Sequence, residues 1–119
     1  MEGQFLEAID IARKAVEAAN DKQATDILLL DMRRVCSFAD YFVIITGESS
    51  RQIKAINGEV EHALKKKDIS LHHREGDSDS GWILLDFGDV IVHIFAQVER
   101  QYYQLEKLWS NATPVLRIQ

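Results

Sequence analysis

Near the start of the chain apolar residues recur at intervals of three and four: Phe5, Ile9, Ala12, Val16 and Ala19. That spacing lays them along one stripe of an amphipathic helix over about residues 4 to 20, broken by Asn20 and Asp21. The pattern then changes. Ile27 to Leu30, between Asp26 and Asp31, is continuously apolar, and Tyr41 to Thr46 reads the same way. Such runs suit interior strands covered on both faces, here joined by a polar connection through Arg33, Arg34, Ser37 and Asp40. Gly47 ends the second strand, and Ser49 followed three positions later by Gln52 makes a capping box for a helix running to about Lys67. Its inner face would be Ile53, Ile56, Val60, Ala63 and Leu64. Gly58 inside that helix costs about 1 kcal/mol relative to alanine. Close packing on the sheet is its expected reason.

Ile69 to Arg74 predicts a short third strand, followed by a polar and mobile loop from Gly76 to Gly81. The run from Trp82 to Phe95, WILLDFGDVIVHIF, reads as two strands around a turn at Asp86, Phe87, Gly88 and Asp89. With Phe87 and Gly88 as the loop residues, Asp86 faces Asp89, Leu84 faces Ile91 and Trp82 faces His93, all on one sheet face. Ile83, Leu85, Val90, Val92 and Ile94 then form an aliphatic face suited to the core. A three-residue loop with a bulge would shift the register by one and swap the faces of one strand. A last helix is predicted from about Glu99 to Ser110, with Tyr102, Leu105 and Trp109 on one stripe, stopped by Pro114. The order of elements gives an α/β layer fold with a mixed five-stranded sheet.

The 119 residues fit a single domain, 1–119, large enough to hold a core without a disulfide or metal staple. Cys36 is the only cysteine, which rules out an intramolecular disulfide and suits a reducing compartment. The N-terminal residues carry acids among apolar positions and run into a helical pattern, unlike a secretory or transit segment. No apolar run approaches membrane-spanning length, so a cytoplasmic protein without a membrane partner is expected. The formal net charge of -5 argues against a protein that binds by neutralising phosphates. Little direct contact with nucleic acid is expected, and a basic protein is the better partner.

Patterns for chemistry are sparse. Neither GxxxxGK[ST] nor GxGxxG occurs, and the nearest glycine-serine turn, Gly47 to Arg51, already uses Ser49 as a helix cap. Asp77 and Asp79 have the D-x-D spacing of metal-dependent transferases, yet they lie in a loop where solvation explains them. Cys36, His62, His72, His73, Glu75 and His93 are the candidate zinc ligands, but adjacent histidines on a strand point to opposite faces. No nucleophile elbow is present. What stands out is an aromatic and acidic cluster around the hairpin: Trp82, Asp86, Phe87, Asp89 and His93, with Glu75 before the loop. Tryptophan is enriched among interface anchors, and acids steer a basic partner. A core position for Trp82 and ordinary turn chemistry for the acids are the competing explanations. His93 is expected to stack on Trp82 rather than act as a base.

LLDFGDVIVHIF, followed by Arg100, Tyr103, LEKLW and Ala112, closely resembles the C-terminal half of the Iojap-like ribosomal silencing factors. TDILLLDM, ADYFVIITGESSRQIKAI and HREG resemble the same family upstream, in the same order and with matching spacing. The resemblance implies a nucleotidyltransferase-like α/β fold without the catalytic carboxylates, no cofactor, no enzymatic activity and a homodimer in solution. It implies binding to ribosomal protein uL-fourteen on the large subunit, which blocks small-subunit association and lowers translation; organellar relatives act in large-subunit assembly. Matching the family's motifs implies partner contacts at Trp82, Asp86, Gly88, Asp89 and His93, with Asp40 and Glu75 beside them. Phe87 stands where the family commonly has tyrosine, so a hydroxyl is missing there.

Overall fold

The computed structural model describes residues 6–119, so Phe5, the first residue of the expected helical stripe, lies outside the described residues. Ten elements follow in the order α1 (Ala8–Asp21), β1 (Thr25–Asp31), β2 (Tyr41–Gly47), α2 (Ser50–Lys65), β3 (His73–Glu75), β4 (Trp82–Asp86), β5 (Val90–Ala96), α3 (Gln97–Tyr103), α4 (Leu105–Leu108) and β6 (Thr113–Ile118). The strands form one sheet in the order β3-β4-β5-β2-β1-β6. β2 and β5 are parallel, and every other neighbouring pair is antiparallel.

The period-two alternation of strand side chains divides the interior into two layers. Ile27 and Leu29 of β1, Val43 and Ile45 of β2, Ile83 and Leu85 of β4 and Val90, Val92 and Ile94 of β5 pack under α1 and α2. Alanines 12, 15, 18 and 19 give α1 a low-profile buried face. α2 begins as its capping pattern predicts, with the Gln52 N–H donating to Ser49 Oγ at 3.0 Å. Gln52 also donates through Nε2 to the Lys22 and Gln23 carbonyls at 3.2 and 2.9 Å, pinning the start of α2 to the turn after α1. Gly47 is required by close approach: a Cβ there would stand 2.7 Å from Ile53 Cγ1. Gly58 differs from expectation. A Cβ there meets nothing within 4 Å, so close packing does not account for it.

The opposite sheet face carries Leu28, Leu30, Phe42, Ile44, Ile91 and Phe95, closed by Leu105 and Ala112 and bordered by Trp82, Leu84 and Trp109. Three elements differ from the sequence expectation. The sheet has six strands rather than five, because the chain beyond the last helix returns as β6 along β1. Pro114 lacks an N–H but tolerates an edge strand, and the pairing shifts register between Leu29 and Leu30. The third strand lies at His73–Glu75, later than residues 69 to 74; Ile69 and Leu71 pack instead on the helix-covered core. The last helix is broken in two. Gln104 adopts a left-handed conformation, φ 49° and ψ 54°, which turns Leu105 inward and leaves Tyr102 exposed, so the stripe expected of one straight helix does not form.

Candidate functional site

The hairpin of β4 and β5 builds the site. Trp82 pairs with Phe95, Leu84 with His93 and Asp86 with Ile91, so the loop residues are Gly88 and Asp89, not Phe87 and Gly88. The Phe87 N–H donates to the Val90 carbonyl at 2.9 Å, extending the ladder by one pair. Gly88 has φ +95° at the first loop position, where a tight hairpin turn favours glycine. The pairing is thus displaced by two residues from the expected one, and a two-residue displacement preserves faces. Trp82, Leu84, Asp86 and His93 share one face as expected, while Phe87 turns to the other and is buried among Leu85 and Val90.

β3 adds a further row to that face, because His73 pairs with Asp86 and Glu75 with Leu84. Glu75 is exposed and its Oε2 lies 2.8 Å from His73 Nε2. Trp82 is half-buried. Its ring centroid lies 4.6 Å from Tyr103 and 4.9 Å from Phe95, and its Nε1–H donates to His93 Nδ1 at 3.2 Å. Together Glu75, Gly76, Trp82, Leu84 and Tyr103 line an open hollow of about 270 Å³. Tyr103 is 45% exposed, and the neighbouring Tyr102 packs edge-on against it at 5.0 Å.

His93 lies beneath this surface rather than on it. It is 4% exposed, with its ring 4.8 Å from Phe42. Burial lowers its pKa to about 3, because an imidazolium there would lose its hydration. Accepting through Nδ1 places the ring proton on Nε2, a buried atom without a hydrogen-bond partner. The expected packing on Trp82 is present, but His93 cannot itself reach a partner in this conformation. It supports Trp82 from below.

The remaining residues gather at the other end of the hairpin, about 13 Å from Trp82 along a five-residue strand. The Asp86 carboxylate accepts the Gly88 N–H at 2.8 Å, stabilising the turn. The Asp89 carbonyl accepts the N–H groups of Asp40 and Tyr41 at 2.7 and 3.1 Å, which sets Asp40 beside the turn. Asp89 is exposed and Asp40 half-buried at that edge. Asp77 and Asp79 belong to neither group. Asp77 Oδ1 accepts the Asp79 and Ser80 N–H groups at 3.0 and 2.8 Å and holds its own loop, while Asp79 Oδ1 accepts the Ser50 hydroxyl at 3.2 Å and ties that loop to the start of α2. Among the described residues no group of three or more His, Cys, Asp or Glu side chains is placed to hold a metal ion. The face offers an apolar aromatic anchor with Glu75 beside it and further acids at the far end of the hairpin, an arrangement suited to docking.

Residues 6–119 match the family model described as "Ribosomal silencing factor during starvation". The chain belongs to this family. Ribosomal silencing factor RsfS of Bacillus subtilis is 44% identical over 102 residues, 86% of this chain and 86% of that protein. A crystal structure of a Chromobacterium violaceum protein shares the fold with a TM-score of 0.85 and 35% identity, covering 88% of each chain. A more distant relative, "Mitochondrial assembly of ribosomal large subunit protein 1" of Mus musculus, is 31% identical over 80% of this chain and 43% of its own.

Sequence reasoning missed Tyr103 as part of the anchor. The helical stripe of Tyr102, Leu105 and Trp109 favours its neighbour Tyr102 instead. Tyr103, the last residue of α3 before the break at Gln104, is the residue that meets Trp82. The burial of Arg100 also carries no local signal, because two of its acceptors, the Asp26 carbonyl and Thr46 Oγ1, come from segments distant in sequence.

Proposed function

We propose that this chain is a translational repressor that docks on ribosomal protein uL-fourteen of the large subunit and occupies space the small subunit would need. The observation that carries this reading is the partly exposed Trp82 and Tyr103 pair, 4.6 Å apart, with Glu75 beside it on the open face of the hairpin. Aromatic anchors supply contact area at low entropic cost, and acids on a chain of net charge -5 favour a basic protein surface over RNA phosphates. The second acidic group, Asp40, Asp86 and Asp89 around Gly88, fixes orientation at the far end of the same hairpin. No cofactor or covalent step is needed for occlusion, and the protein acts without enzymatic activity, in the cytoplasm. The free chain is a homodimer in this reading, to be checked by sedimentation equilibrium.

The experiment mixes purified large and small subunits, under conditions that permit joining, with excess protein and separates them on a sucrose gradient. Co-migration with the large subunit and loss of joined ribosomes is the expected result. Protein left at the top of the gradient with joining intact would overturn the proposal. Trp82→Ala, provided it stays folded, is expected to weaken large-subunit binding by at least about 2 kcal/mol, as for an interface anchor. Wild-type affinity in that variant would exclude the Trp82 surface.

The name of the mitochondrial relative supports a second reading, an assembly factor for the large subunit that uses the same face. It predicts accumulation on precursor particles in cell extracts, whereas the repressor is expected on mature subunits.

A further inference from the structure

A single buried side chain anchors α3, and it is an arginine. Arg100 is 6% exposed, while Val98 and Tyr102 on the same seven-residue helix are exposed. So short a helix has little stability of its own and depends on tertiary contacts. Arg100 Nη1 donates to the Asp26 carbonyl at 2.6 Å and to Thr46 Oγ1 at 2.7 Å, and Nε donates to Glu106 Oε2 at 3.1 Å. Nη2 lies 3.5 Å from Asp26 Oδ2. One guanidinium therefore joins the start of β1, the end of β2 and α4 to α3. Asp26 has φ 45° in the irregular stretch of β1, and its carboxylate also holds Arg117 of β6 through two hydrogen bonds of 2.9 and 3.0 Å.

Tyr103 follows Arg100 by three positions, the spacing that makes helix side chains neighbours. We propose that Arg100 is a positioning residue of the docking face: its fork sets the placement of α3 and thereby presents Tyr103 against Trp82. This rests on the docking role proposed for that face. Lysine cannot substitute, because one ammonium on a flexible stem does not reproduce a planar fork with separately directed donors. Nor can an apolar residue, which would leave the Asp26 carbonyl and the Thr46 hydroxyl short of a donor.

The test compares Arg100→Lys, Tyr103→Leu and the double variant by two measurements. The first is the indole N–H resonance of Trp82 in the free protein, identified by its loss in Trp82→Phe. The second is affinity for purified large subunits. Arg100→Lys is expected to keep the overall amide spectrum but shift the Trp82 resonance in the same direction as Tyr103→Leu. Each single variant should lose affinity about ten-fold, as for a moderate interface residue, and the double variant no more than Tyr103→Leu alone. An unshifted resonance, or losses that multiply, would overturn the proposal. Should Arg100→Lys not fold, Thr46→Val removes one acceptor at nearly constant shape, and the same shift and coupling are expected of it. If the wild type does not bind large subunits, the docking role fails, while the resonance still decides whether Arg100 holds Tyr103 in place.

Discussion

At the scale of single residues, His93 shows how burial converts a polar side chain into part of a support. Its ring is neutral because a charge at that depth would be desolvated, with pKa lowered to about 3. In the unfolded chain it protonates near 6.5. The folded state therefore binds fewer protons than the unfolded state between these values, and stability falls as pH drops from about 6.5 toward about 3, by up to ~1.4 kcal/mol per unit. Urea midpoints measured at about pH 7 and about pH 4.5 should differ by more in the wild type than in His93→Gln. Equal differences would show that His93 does not carry the acid sensitivity. That Trp82 and Asp86 share one face of the hairpin is legible from the alternation of the strand. The depth of His93 is not, because alternation assigns a face without saying what covers it.

Among the elements, the capped start of α2 and the faces of β4 and β5 follow from local pattern. Ser49 and Gln52 form the cap within four residues of chain, and the strands carry their own period of two. β6 has no such local signal. Its residues are mostly exposed, it contains Pro114, and its pairing partner β1 lies more than eighty residues earlier. It is tied there by the Arg117 and Asp26 ion pair as well as by the ladder. Deleting residues 113–119 would make β1 an edge strand and remove the neighbours of Leu28 and Leu30. A destabilisation on the order of 2–4 kcal/mol is expected from the lost ladder bonds and apolar cover. A urea midpoint within error of the full chain would show that β6 adds nothing to the sheet. The break between α3 and α4 was illegible for a related reason: glutamine is a good helix former, and Gln104 takes its left-handed conformation where Leu105 turns into the core and Arg100 is held at the ends of β1 and β2.

For the whole molecule, the net charge of -5 and the acids along one hairpin predict association with a basic surface that weakens as salt rises. Raising ionic strength from about 0.1 M to about 0.3 M should slow association with large subunits several-fold while changing dissociation less. A salt-independent association rate would assign docking to the aromatic anchor alone. The sequence by itself determined the α/β class, the helix-covered core, the shared face of Trp82, Asp86 and His93, and the family, because periodicity, capping and ordered motifs are encoded over short stretches. Only the tertiary structure decided the sixth strand, the inward turn of Phe87, the depth of His93 and the meeting of Tyr103 with Trp82. Each depends on which distant segments supply hydrogen-bond partners and exclude water, and no short window of residues contains both sides of such a contact.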